Sequence, residues 1–253
     1  MRVAIAGATG TVGRHVRRVA TERGHDVVPL SRATGHDLTR DDLTDALEDV
    51  DCVIDVVGIP TLSRARATAF FEATSRQLQR GGAAAGVGHL VTLSIVGIDG
   101  VHSGYYGAKL AHERAVSSGV VPFSLLRASQ FHEFAEQTIA RGRIGSLVLV
   151  PTAPVRPIAA EDVAERLVDL AEDAPSGRVD DLVGPRDERL IDMVRSVLAH
   201  DGRSLRTREL RLPGPMGAAM ASGVLRGTDD ARRGRLTFGE WLQQRDRERH
   251  SRA

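Results

Sequence analysis

Apolar runs without alternation recur through the first half of the chain. Val3-Ala4-Ile5-Ala6, Cys52-Val53-Ile54-Asp55-Val56-Val57-Gly58, His89-Leu90-Val91-Thr92-Leu93-Ser94 and Val121 to Ala128 all show the pattern. A strand with one wet face alternates, whereas an unbroken apolar run is the mark of a strand covered on both faces, as in a parallel sheet. Asp26-Val27-Val28-Pro29-Leu30 adds another strand. Between these runs the spacing becomes helical: to about Arg23 before Gly24, over 40–48, over 63–86 with a stop at Gly81-Gly82 or Gly86, and around Tyr105 to near Gly119. Strand and helix in turn predict an α/β fold, a doubly wound parallel sheet of Rossmann type. Pro122 marks the strand of 121–128 as an edge or as one that starts beside it.

From Pro151 the pattern changes. Pro151, Pro154 and Pro157 punctuate an extended segment that leads into a helix from Ile158 to about Ala171. A short strand and turn follow at Val179 to Pro185, then a helix from about Arg189 to Ala199 and a polar strand near Ser204 to Leu210. The glycine-rich apolar stretch Pro213 to Gly227, with Met216 and Met220, suits either a substrate pocket or the core. Residues 245–253 read as a solvated, fraying helix end. The organisation expected is a single domain over 1–253, with a core of about 1–150 and a small carboxyl-terminal substrate lobe of about 151–253.

Composition narrows the classes. A chain of 253 residues, 42% hydrophobic, can bury a full core. A net charge of +1 and an aromatic content of 4% point away from nucleic acid. No run reaches the roughly 20 apolar residues of a membrane helix, and no signal peptide is evident at the amino terminus. The single cysteine, Cys52, fits a small buried hydrophobe in a reducing compartment, so a cytoplasmic location is expected. The nine histidines show no H-x-x-x-H or H-E-x-x-H spacing, and no metal site is expected. A small-molecule partner remains.

The first strand runs directly into Gly7-Ala8-Thr9-Gly10-Thr11-Val12-Gly13 and a helix. Glycines there allow a tight turn and let a diphosphate approach the amides of Thr9 to Gly13, where the helix dipole favours an anion. At the end of the second strand, where a selective NAD site usually carries an acid, the chain has Leu30-Ser31-Arg32. Arg32 can pair with a 2′-phosphate and Ser31 can assist, which favours NADP, with NAD as the alternative; a solvated loop arginine is the plainer reading. Gly58 ends a strand at the crevice where such cofactors lie.

Of the 34 lysines and arginines, Lys109 is the one lysine, and it follows Tyr105, one of two tyrosines, by four positions. On a helix that spacing stacks the two side chains on one face. A compact ammonium beside a phenol favours its ionised form and keeps donors for other acceptors. The plainer reading is a surface lysine beside a half-buried tyrosine. Ser94 ends a strand, where a hydroxyl serves a ligand or bonds local backbone. His132 opens a helix and reads as a structural or capping residue more readily than as an acid or base.

Together, Gly7-x-x-Gly10-x-x-Gly13, Arg32, Asp37-Leu38, Ser94 and Tyr105-x-x-x-Lys109 resemble an atypical or extended short-chain dehydrogenase/reductase of the NmrA-like NAD(P)-binding group. The segment Leu126 to Phe134 is similar to that group too, and the resemblance covers most of 1–171. It implies a short third strand after which Asp37 and Leu38 lie against the adenine; Asp37 also reads as a cap for the helix of 40–48. It implies hydride transfer between nicotinamide and a carbonyl or alcohol, with Tyr105 exchanging the proton, Lys109 on the nicotinamide ribose and Ser94 on the substrate oxygen. Val56-Val57-Gly58-Ile59 departs from the Asn-Ala-Gly type of the short-chain dehydrogenases proper, and the segment after Arg127 lacks their Pro-Gly pair. Some members of the atypical branch bind the cofactor without turnover. Two readings of different class therefore stand: an NADP(H)-dependent reductase and a redox-sensing, dinucleotide-binding regulator. A nucleotide-sugar epimerase comes third.

Overall fold

A computed structural model describes residues 1–61 and 63–250, the last five as helix backbone. The charged tail is thus helical as far as His250, and 251–253 lie outside the described residues. In chain order the elements begin β1 (Arg2–Ala6), α1 (Thr11–Glu22), β2 (Asp26–Leu30), β3 (Cys52–Asp55), α2 (Arg64–Ala85), β4 (His89–Ile95), α3 (Gly104–Ser117) and β5 (Phe123–Ala128). There follow α4 (Phe134–Gly142), β6 (Arg143–Ile144), β7 (Leu147–Pro151), β8 (Pro154–Val155), α5 (Ala160–Glu172), β9 (Gly177–Arg178) and β10 (Leu182–Val183). The chain closes with β11 (Glu188–Arg189), α6 (Leu190–His200), β12 (Arg206–Leu210), α7 (Gly214–Ser222), β13 (Arg232–Arg233) and α8 (Phe238–His250).

Two compact units are interleaved along the chain. The first holds Met1–Ile95, His102–Arg127 and Val163–Asp180; the second holds Val96–Val101, Ala128–Asp162 and the chain from Asp181.

The first unit is α/β. Its strands lie in the order β5-β4-β3-β1-β2, with β9 beside β5. The pairs β1–β2, β1–β3 and β3–β4 are parallel, with Ile5 opposite both Pro29 and Ile54. Val3 to Ala6 and Cys52 to Asp55 are buried on both faces, which is why these strands read as unbroken apolar runs. Ala4, Ala6 and Val53 share a core with Leu30, Leu78, Leu90, Ala108 and Phe71, the last from α2. Arg23, at the end of α1, pairs with Asp169 and Glu172 of α5. This is the doubly wound Rossmann-type sheet expected. The strand order reverses between β1 and β3, where such sheets bind their ligands at the carboxyl ends of the strands.

Two expected elements are not formed. No strand forms between β2 and Asp37, and 40–48 contains only a single 3-10 turn, Asp45–Leu47. Side chains compete with the helix here. The backbone N–H and the hydroxyl of Thr39 both donate to Asp37 Oδ1, and Thr44 does the same to Asp42 Oδ1. Such Asx turns offer the backbone a local alternative to helix. Asp37 caps a turn, not a helix.

The other boundaries hold closely. Gly86 closes α2 in the left-handed conformation at φ 79°, while Gly81 and Gly82 lie within the helix. β5 starts directly after Pro122. In the second unit β7 pairs with β6 and with β12, and Arg156 is buried against Asp187 and Asp229. No helix among the described residues is long and apolar enough to cross a membrane.

Candidate active site

The glycine loop after β1 is shaped by two close approaches. Gly7 has φ +87°, and a Cβ there would stand 3.0 Å from the carbonyl oxygen of Val56, beyond β3. A Cβ on Gly13 would lie 2.1 Å from the Gly7 carbonyl oxygen. Both positions exclude any larger residue. Gly10 is different: it is exposed and precedes α1 in extended conformation, with φ −72°. The first turn of α1 has neither a side-chain cap nor an acidic residue. Uncapped helix amides behind a small-residue loop form a seat for an anion, and a dinucleotide diphosphate fits it. Thr9 is exposed and Thr11 half-buried, whereas Val12 is in the core, so any contact from Val12 is through its backbone. Arg14 Nη1 donates to the Thr9 carbonyl at 3.1 Å and braces the loop.

At the end of β2 the two residues read as phosphate-binding separate. The Ser31 hydroxyl is buried within 3.2 Å of Thr34 Oγ1, and the same Thr34 oxygen accepts from the Ser31 N–H. Arg32 is exposed. The Asp37 carboxyl is held below the usual carboxylate range, first by its hydrogen bonds from Thr39 and further by Arg40 and Arg32. Leu38 is buried in the core cluster with Leu30 and Ala6.

The carboxyl ends of β3 and β4 meet the amino-terminal half of α3. A Cβ on Gly58 would stand 3.7 Å from the Tyr105 hydroxyl, so the phenol oxygen lies beside the turn that follows β3. Ser94 is buried, and its Oγ has no hydrogen-bond partner among the described residues, local backbone included. Thr68, Thr74, Ser75, Thr92 and Ser103 carry hydroxyls in the same condition, so what distinguishes Ser94 is its place near the carboxyl end of β4.

Lys109 is 4% exposed, which rules out the surface-lysine reading. Its Nζ donates to the Leu93 carbonyl at 2.7 Å and lies 2.9 Å from His112 Nδ1. His112 Nε2 in turn lies 2.8 Å from Asp55 Oδ2, with both side chains fully buried. The Phe71 ring joins the group: it stacks on His112 at 4.7 Å, meets Tyr105 edge-on at 5.7 Å and lies 4.6 Å beneath Lys109 Nζ. Burial pulls the ammonium down to about 8, against the pull of Asp55 and Glu113. Burial, and then Lys109, lower His112, so the imidazole is neutral. Burial alone would raise Asp55, but His112 and Lys109 outweigh it and keep the carboxylate ionised.

Asp55, His112 and Phe71 were not among the residues singled out from the sequence. A signal was present for two of them. Positions 105, 109 and 112 follow the i, i+4, i+7 stripe of one helix face. An aspartate inside an unbroken apolar strand must have a partner once buried. His132 takes the plain reading: Nε2 bonds the Leu236 carbonyl at 3.0 Å, Phe238 and Trp241 flank the ring, and burial pushes it down to about 4.

Comparison with known proteins agrees with this picture of a dinucleotide fold. Residues 3–87 match the model of the NAD dependent epimerase/dehydratase family. No curated protein sequence matches. Among solved structures, a dTDP-4-dehydrorhamnose reductase from Clostridium acetobutylicum ATCC 824 is 15% identical with a TM-score of 0.74, over 98% of this chain and 100% of that one. The Citrobacter sp. triphenylmethane reductase complexed with NADP(H) is 15% identical with a TM-score of 0.70, over 97% and 99%. An NADPH-dependent quinone oxidoreductase from Escherichia coli, complexed with NADPH, is 16% identical with a TM-score of 0.72, over 96% and 99%. The resemblance to this reductase and epimerase group holds. At these identities the structures speak for the fold, and the family match for the amino-terminal segment.

Proposed function

We propose that the protein is an NADP(H)-dependent oxidoreductase that transfers a hydride between nicotinamide and a small carbonyl or alcohol substrate. One observation carries the reading: the Tyr105 hydroxyl lies beside Gly58, in the turn three residues past the end of β3, one helical turn from the buried Lys109. The carboxyl end of β3 borders the reversal point of the sheet, where open α/β sheets bind their ligands.

When bound, the nicotinamide supplies the hydride chemistry. The amides from Thr9 to Gly13 hold the diphosphate at the start of α1, with Gly7 and Gly13 shaping the turn. Arg32 takes the 2′-phosphate; Ser31 holds the turn from which Arg32 projects. Asp37 and Leu38 border the adenine side, and Gly58 leaves room for the cofactor to pass. Tyr105 gives or takes the proton at the substrate oxygen, and Ser94 donates its otherwise unused hydrogen bond to the same oxygen. Lys109 keeps a positive charge behind the phenol, which favours the phenolate. Neighbouring structures hold NADP(H) in some cases and NAD in another, so the choice of NADP over NAD rests on Arg32 at the end of β2, where no acid stands.

Fluorescence titration tests the cofactor: NADPH is expected to bind more tightly than NADH, and the reverse order would overturn the assignment. The Tyr105→Phe variant is expected to bind NADPH as the wild type does and to lose at least about 100-fold in kcat across a carbonyl panel, the range of general acid catalysis. Retained turnover would remove Tyr105 from the mechanism.

A second reading, a redox sensor that binds the dinucleotide without turnover, has one observation in its favour. Two of the three Lys109 N–H groups go to the protein's own Leu93 and His112, an anchorage a pure binding protein could equally use. A wild type that binds NADPH and reduces nothing across a broad panel would select this reading.

A further inference from the structure

We infer that Asp55 and His112 are positioning residues that hold Lys109 charged and fixed behind Tyr105. The inference rests on the function proposed above for the consequence in turnover, and on geometry alone for the state of the lysine.

Hydrogen-bond roles fix the state of the chain. An ionised carboxylate can only accept, so His112 Nε2 carries the proton it shares with Asp55 Oδ2 at 2.8 Å. Nδ1 then has a lone pair and accepts from Lys109 Nζ at 2.9 Å. With the Leu93 carbonyl at 2.7 Å, two of the three N–H directions are taken, and tetrahedral geometry fixes the third. Lys109 and Asp55 form an ion pair bridged by a neutral imidazole. The other tautomer would set an Nδ1–H against the ammonium and an Nε2 lone pair against the carboxylate. Phe71, stacked on the imidazole and lying beneath the ammonium, holds both in plane and in depth.

The same carboxylate also holds the turn beside which the phenol lies. Asp55 Oδ1 accepts from the Val57 N–H at 3.1 Å, and Val57 precedes Gly58, beside which the Tyr105 hydroxyl lies. One buried side chain thus sets both the turn that meets the tyrosine and the charge one helical turn along α3. The groups that face this lysine are Asp55 from β3, the Leu93 carbonyl from β4, the uncharged Phe71 from α2, and His112 and Glu113 on α3 itself. Glu113 is already paired with Arg127. Asp55 is therefore the counter-charge left to Lys109, reached through His112.

Lys109 is the only lysine of the chain, so its titration can be read without assignment. Protein grown with lysine carrying 13C at Cε gives one signal, whose pH dependence reports this ammonium alone. The wild type is expected to titrate near 8, well below the ordinary 10.5. In Asp55→Asn the midpoint should fall by about 1 pH unit or more, the effect of removing an opposite charge. An unchanged midpoint in a folded Asp55→Asn protein would overturn the inference.

A wild-type measurement guards against a variant that fails to fold. Long-range 1H–15N spectra should show His112 as the Nε2–H tautomer through neutral pH, identified by the signal lost in His112→Gln. An Nδ1–H tautomer or an imidazolium would overturn the inference. For turnover, the alkaline limb of the kcat profile should move down with the lysine midpoint in Asp55→Asn. A merely structural role would lower the amplitude and leave the limb in place. A shifted lysine midpoint in a protein that reduces nothing would leave the positioning intact and defeat the proposed function instead.

Discussion

At Gly13 the choice between one hydrogen and a methyl group decides whether the loop after β1 can close. A Cβ there would stand 2.1 Å from the Gly7 carbonyl oxygen and 2.9 Å from Ala8 backbone atoms, so the loop would have to move. Gly13→Ala is expected to cost about 1–3 kcal/mol, the range for overpacking a close contact. Weaker NADPH binding should accompany the loss if the displaced segment is the diphosphate seat proposed above. Urea unfolding and NADPH titration check the two effects separately. Full stability with wild-type binding would show that the loop tolerates a wider turn. The glycine motif was legible because its requirement is local: three positions, one turn and the helix that follows. The partners of Lys109 were not, because Asp55 comes from a strand more than fifty positions upstream. Residue type alone left the lysine a choice of surface or cofactor, and burial against Leu93, His112 and Asp55 removed the first.

At the scale of elements, α3 is tied to β5 by a two-pronged ion pair. Arg127 Nε and Nη2 donate to Glu113 Oε1 and Oε2 at 2.8 and 2.7 Å, with the arginine side chain 3% exposed. Glu113→Gln would remove a carboxylate from a buried guanidinium, and up to about 3–5 kcal/mol of stability with it. The double variant Glu113→Leu with Arg127→Met should recover part of that loss, since both charges of this pair are then absent. A thermal or denaturant midpoint for each variant decides it, and equal losses in both would assign the effect to packing. Most elements followed from the pattern of apolar positions, including the start of α2 and one of the two stops read for it, Gly86; β5 begins at Phe123, two residues later than the apolar run. The segment 40–48 did not become a helix. Asp37, Asp42, Thr39 and Thr44 cap their own turns, a competition that the apolar spacing of Leu43 and Leu47 does not register.

At the scale of the whole molecule, buried titratable groups set how stability varies with pH. His132 is pushed down to about 4 by burial, and His89 and His112 are lowered as well. Below their ordinary 6.5 the unfolded chain takes up protons that the native state refuses, so stability should fall from pH 6.5 towards 4. His132→Phe should flatten that limb. On the alkaline side, Lys109 at about 8 holds fewer protons in the native state than its ordinary 10.5 allows in the unfolded chain, so stability should rise from about pH 8. Cys52, raised by burial from 9.0 to about 12, reverses the slope above 9, since only the unfolded chain ionises there. Unfolding midpoints taken from pH 4 to 10 should therefore show an acid decline and a modest alkaline maximum; a flat acid limb would contradict the burial of His132. What the sequence determined by itself was what local chemistry dictates: the parallel sheet from its unbroken apolar runs, the anion seat from its glycines, and one helix face carrying Tyr105 and Lys109. Tertiary structure alone decided what stands behind that face. Burial makes Asp55 and His112 necessary to the lysine, and burial depends on which distant strands and helices close over it.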